Sequence, residues 1–170
     1  MANILKFTRN RCTSVERIDE ETMRASCRLR DTLTEALVEI TVRLPDLEII
    51  DIKGETIQTY REECAKTSPE ALRKVIGIRI GPGMLKMIKG LIGGGTDCKQ
   101  LVFMVEECCH GVILSFTKEV LITSPRPKEL EDAKAFYAKM LKENIRLYNR
   151  CAAFAPGSSL VEGIEPPGQA

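Results

Sequence analysis

The sequence predicts an α+β fold: a three- to four-stranded antiparallel sheet followed by a helical half packed on one of its faces. Two patterns lead there. Up to Ile52 the apolar residues tend to recur at every second position, and from Ser68 onward they recur at every third or fourth. A third observation is bulk: at 170 residues, 44% hydrophobic and 29% charged, the chain can bury a core without staples. Only 5% of residues are aromatic and none is Trp, so that core must rest on Ile, Leu, Val and Met.

Taken in order, a first strand is expected around Ile4–Cys12. Met23, Ala25, Cys27 and Leu29 then alternate with Arg24, Ser26, Arg28 and Arg30, the signature of a half-buried strand. Val38, Ile40, Val42 and Leu44 repeat the pattern, and Pro45-Asp46 turns the chain into Leu47–Ile52 as a hairpin. Ser68-Pro69-Glu70 supplies an N-cap, a first-turn proline and an acid for a short helix to about Ile76. Met84, Leu85, Ile88, Leu91 and Ile92 mark one face of a second helix. Asp97 can cap a third, with Gln100 in the capping-box position. Its stripe is Leu101, Val102, Val105, Cys108, Cys109, Val112, Ile113 and Phe116. Ser124-Pro125 precedes a last helix to about Ala153, with Ala133, Tyr137, Met140, Leu141 and Tyr148 inward. Residues 1–155 are expected to form one domain, and 156–170 a flexible tail.

The net charge of +1 argues against a general nucleic-acid or membrane-surface binder. The sequence reads as having no apolar run near the ~18 residues of a membrane span. The opening MANILKFTRNRC has neither an apolar core nor a cleavage site, which predicts a cytoplasmic protein. Seven cysteines are many for such a chain. Their odd number and the reducing compartment speak against a disulfide framework and leave packing, metal ligation or sulfur chemistry.

The densest chemistry lies in Gly77–Leu101, GIRIGPGMLKMIKGLIGGGTDCKQL. With Asp97 as cap, Cys98 opens its helix, where free N–H groups and the positive dipole end favour a thiolate. Gly93, Gly94 and Gly95 carry no side chains to crowd that sulfur. Cys64 falls in a polar loop between sheet and helices, and Cys151 at the end of the last helix. Cys27 and the Cys108-Cys109 pair lie on apolar faces, where packing is the ordinary role. His110, the single histidine, is rotated away from that stripe, and without CxxC or HExxH no conventional zinc motif is present. The same loops admit another reading, in which Gly81 and Gly83 with Lys86, and Gly93–Gly95, cradle a phosphate at helix N-termini. Neither GxxxxGK[ST] nor a strand-anchored GxGxxG accompanies them, and no Ser/His/Asp triad is recognisable.

GIRIGPG, the short basic-apolar helix, the glycine step and Cys98 with Leu101 resemble the core of the bacterial domain of unknown function family 2889. That core runs approximately G-L-R-I-G-P-G-W, then G-G, then G-C-T-H-L. LVEITVRLPDLEIIDI followed by Cys64 resembles the family's strand pair and its cysteine, and the similarity covers most of Thr8–Val161. It implies that Cys64, Cys98 and Cys151 converge with histidines into one metal or sulfur site. Here Gln100 and Ala152 stand in the histidine positions and Met84 in place of the tryptophan. What remains is a three-cysteine site with Asp97, Gln100 or an outside ligand as fourth partner. In layout the chain is also similar to the iron–sulfur cluster scaffold fold, an analogy that does not fix function.

The leading expectation is a cytoplasmic domain that binds iron, zinc or an iron–sulfur cluster, or handles sulfur, through Cys64, Cys98 and Cys151 with Asp97. Its partner would be a sulfur- or cluster-transfer protein. The alternatives are a domain or enzyme binding a small anionic ligand such as an acyl-CoA or nucleotide, and a pure protein interaction module. The balance leans away from an enzyme, and nucleic acid and membrane are not expected partners.

Overall fold

A computed structural model describes residues 6–60, 69–94, 98–123 and 129–165. The fold is α+β. Four antiparallel strands, β1 (Arg9–Arg17), β2 (Thr22–Asp31), β3 (Glu35–Arg43) and β4 (Glu48–Gln58), form a meander in the order β1-β2-β3-β4. A short helix α1 (Pro69–Leu72) runs into a 3-10 turn (Arg73–Val75); α2 (Met84–Ile92), α3 (Lys99–Thr123) and α4 (Leu130–Glu143) follow. Two further 3-10 turns, Ile145–Leu147 and Ala152–Phe154, succeed α4.

The alternation of β2 and β3 places Met23, Ala25, Cys27 and Leu29 beside Val42, Ile40, Val38 and Ala36 on one buried face. The opposite face is polar and laced by cross-strand pairs, Arg24 with Glu16 and Arg28 with Glu35. β1 begins five residues later than the first strand read from the sequence. Nearly all its side chains are exposed, so it shows no burial periodicity, and it is recruited by backbone pairing with β2. Arg9, Arg11, Glu16 and Arg17 keep this edge strand charged, which discourages pairing with another chain.

The chain forms two compact units, Met1–Ile80 with Met84–Val112, and Gly81–Gly83 with Ile113–Ala170. In the first, α3 lies on the buried face of the sheet through Leu101, Met104, Val105, Cys108 and Val112. The Cys108 thiol donates to the Val38 carbonyl at 3.7 Å, and the Arg11 guanidinium stacks over the Phe103 ring at 4.7 Å. Where α3 passes β1 the residue is Gly111; a Cβ there would stand 3.0 Å from Thr13 Cγ2 and 3.1 Å from Val15 Cγ2.

Over Lys99–Val120, α3 is long and apolar enough to cross a bilayer, and half of that stretch is buried within the protein. Glu106, Glu107 and His110 interrupt the stretch, so it meets that measure as an average and not as an unbroken apolar run.

In the second unit α4 stops at Glu143, ten residues before the expected end. Asn144 terminates it: both its backbone N–H and its side-chain amide donate to the Met140 carbonyl. Met140, Leu141 and Leu147 are buried, and Tyr137 meets Phe154 with ring centroids 6.4 Å apart. Beyond Pro156, where a tail was expected, Ser158 Oγ donates to the Ala153 carbonyl at 2.6 Å and Val161 is buried.

Candidate functional site

The glycine-to-cysteine stretch divides into three pieces with different roles. Gly77–Ile80 attaches to the start of β4: Ile49 N–H donates to the Ile78 carbonyl, Gly77 N–H to Ile49 and Ile80 N–H to Leu47, at 2.8–2.9 Å. Ile78 and Ile80 are thereby buried and Arg79 faces out, 3.8 Å from Asp46 and 4.0 Å from Glu48. Turns follow at both ends, with Gly77 at φ +91° and Gly83 at φ +80°, where a side chain would be strained.

The second piece is α2. Met84, which stands where the family pattern has tryptophan, is fully buried with Ile88 and Ile92. Gly81 is buried, while Gly83 and Lys86 are exposed. Gly93 ends the helix: its N–H donates to the Lys89 carbonyl at 2.9 Å, and a Cβ would come within 2.3 Å of that oxygen. Gly94 is exposed, and Gly95 lies outside the described residues. Gly83 and Gly93 therefore bracket α2 from opposite ends, separated by roughly 13 Å of helix. They do not share one phosphate, and the C-terminal end of α2 carries the negative pole of its dipole.

The third piece is the head of α3. The Cys98 carbonyl accepts from Val102 N–H at 3.1 Å, so Cys98 is itself the N-cap, one position before the place expected for it. It is half-buried, and no acidic residue occupies the first turn of α3. Gln100 is also half-buried on that turn. Asp97 and Cys64 lie outside the described residues. Cys151 is exposed at the start of the Ala152–Phe154 turn rather than on a helix; it belongs to the second unit and Cys98 to the first.

Among the described residues no three His, Cys, Asp or Glu side chains gather in a way that could hold a metal ion. Cys27, Cys108 and Cys109 are sealed in the core, as their apolar positions foretold. His110 stands 3.9 Å from Glu107, one turn away on α3.

One residue escaped the sequence reading. Glu106 is buried on α3 in the stretch between Val105 and Cys109; its Oε1 lies 3.7 Å from Lys89 Nζ without a hydrogen-bond partner among the described residues. The signal available was an acid inside an apolar stripe, adjacent to the half-buried Glu107.

Comparison with protein-family models, curated proteins and solved structures finds no match to this chain. The fold and this stretch define an α+β domain that presents one accessible cysteine at the head of its longest described helix.

Proposed function

We propose that the chain is a thiolate-based binding domain, handling a soft metal ion or sulfur at Cys98. The observation that carries this reading is the contrast among the cysteines: Cys27, Cys108 and Cys109 are sealed, whereas Cys98 caps α3 and stays half-accessible. At that position the first backbone N–H groups of α3 lack intrahelical partners and stand beside the sulfur's residue. The first turn of α3 adds no carboxylate to oppose a thiolate. Thiolate ligation selects iron, zinc or cuprous copper over magnesium or calcium. The resemblance to family 2889 points to the same residue.

The test is elemental analysis and sulfide determination on anaerobically purified, untagged protein beside Cys98→Ala. Stoichiometric iron, zinc, copper or sulfane sulfur that disappears in Cys98→Ala is the expected result. Equal content in both proteins, or none in either, overturns the reading.

A further inference from the structure

The chain-wide balance of +1 conceals an uneven distribution. From Pro69 to Gly94 there are five basic residues, Arg73, Lys74, Arg79, Lys86 and Lys89, and one acid, Glu70, a net charge of +4. Two of the five are locally compensated, Lys89 by Glu106 and Arg79 by Asp46 and Glu48. Arg73, Lys74 and Lys86 face no carboxylate within ion-pair distance among the described residues. The 3-10 turn carrying Arg73 and Lys74 packs beside α2, which carries Lys86.

The same two elements also expose apolar side chains. Met87 is 47% and Leu91 43% exposed, one helical turn apart on α2, and Ile76 at the end of the 3-10 turn is 41% exposed. On the helix wheel Met87 and Leu91 border the buried Met84 and Ile88, so the apolar arc of α2 is wider than the part the protein covers. Lys86 stands on the far side of the two, and between them Gly90 leaves bare backbone with nothing within 4 Å of its Cβ position.

We propose that Arg73–Ile76 and the exposed side of α2 dock on an anionic lipid bilayer. Met87 and Leu91 enter the headgroup region while Arg73, Lys74 and Lys86 meet lipid phosphates. Apolar anchors flanked by long, flexible cations suit a fluid surface, into which the stems snorkel while the charges stay at the phosphates. A second copy of this chain would bring like charges face to face. An acidic protein would be recognised by shape, and bare Gly90 is where such a partner would make its closest approach.

The experiment is co-sedimentation of the full chain with vesicles of phosphatidylcholine alone or with one-third phosphatidylglycerol, at low and physiological salt. Binding is expected only with the anionic lipid, weakening as salt rises. Each basic residue near such a surface contributes about fivefold, so Lys74→Glu with Lys86→Glu should lower binding at least ~20-fold. Met87→Ser with Leu91→Ser should weaken it several-fold, and Gly90→Ala should leave it unchanged. Lack of binding to the anionic vesicles overturns the proposal. So does binding that survives the charge reversals, which would place the contact elsewhere, or binding that Gly90→Ala abolishes, which would indicate a shape-specific partner.

Discussion

Cys109 is fully buried on α3, where burial chiefly, with the nearby Glu106 carboxylate adding to it, pushes its thiol up to about 12. Cys108 is raised further, again mainly by burial, with the Cys27 and Cys109 thiols adding to it. Burial also raises Cys27, against a hydrogen bond from Thr13. Thiols in this state are poor nucleophiles, and their access to reagent is closed. Cys12 and Cys151 are exposed and Cys98 is half-buried. Labelling the native protein with a water-soluble disulfide reagent, followed by peptide mapping, should therefore modify Cys12, Cys98 and Cys151. Cys27, Cys108 and Cys109 should react only after unfolding. Rapid native labelling of Cys108 or Cys109 would mean that α3 does not lie closed on the sheet.

At the scale of elements, the two glycines of the α2 region predict opposite effects from one substitution. Gly90 sits in an exposed helix interior with open space at its Cβ, so Gly90→Ala removes the helix penalty of glycine and should stabilise by about 0.5–1 kcal/mol. Gly93→Ala drives a Cβ to 2.3 Å from the Lys89 carbonyl, a backbone atom that moves only if the helix end unwinds. It should destabilise by about 1–3 kcal/mol. Urea unfolding of both variants checks the pair, and equal signs would contradict the geometry of this helix end. In sequence Gly90 follows Lys89 while Gly93 follows Ile92 and opens a glycine run, and spacing alone does not say which helix Gly93 ends. The same limit governs the rest of the fold. β2 and β3 were legible because each buries alternate residues against helices. β1 was misplaced because nearly all its side chains are exposed, so no alternation marks the face it turns to α3. The early end of α4 was hidden because Leu147 and Tyr148 continue the apolar spacing past the break at Asn144. At the candidate site, the glycine run before Asp97-Cys98 marked the helix head, while the assignment of Gly93 to the preceding helix depends on a hydrogen bond that spacing does not encode.

For the molecule as a whole, the charges of the sheet and the thiols of the core set opposite limits on stability against pH. At the sheet turns four carboxyls lie below their usual range; Asp19, between β1 and β2, is lowered chiefly by its hydrogen bond from the Thr22 hydroxyl. Burial alone would raise Asp31, but the amides of Leu33 and Thr34 and the Arg9 guanidinium outweigh it. Glu35 is lowered chiefly by its hydrogen bond from Arg28, and Asp46 by its bond from Arg43. A carboxyl lowered in the folded state binds fewer protons there than in the unfolded chain. Its contribution is complete above the unfolded value and lost as pH falls through the folded one. The core thiols act in the other direction. Above about 9, the unfolded chain releases the Cys108 and Cys109 protons while the fold retains them, so stability falls as pH rises toward 12. Each thiol contributes a slope of up to about 1.4 kcal/mol per pH unit in that window. Urea unfolding as a function of pH should give a plateau bounded by an acid limb below about pH 4 and an alkaline limb above about pH 9. Replacing Cys108 and Cys109 by alanine should lower the plateau through lost packing yet flatten the alkaline limb. An alkaline limb of unchanged steepness in that double variant would show that neither thiol is held neutral by the fold. Arg28→Gln, by contrast, should reduce only the acid limb, because it releases Glu35 and leaves the core face untouched.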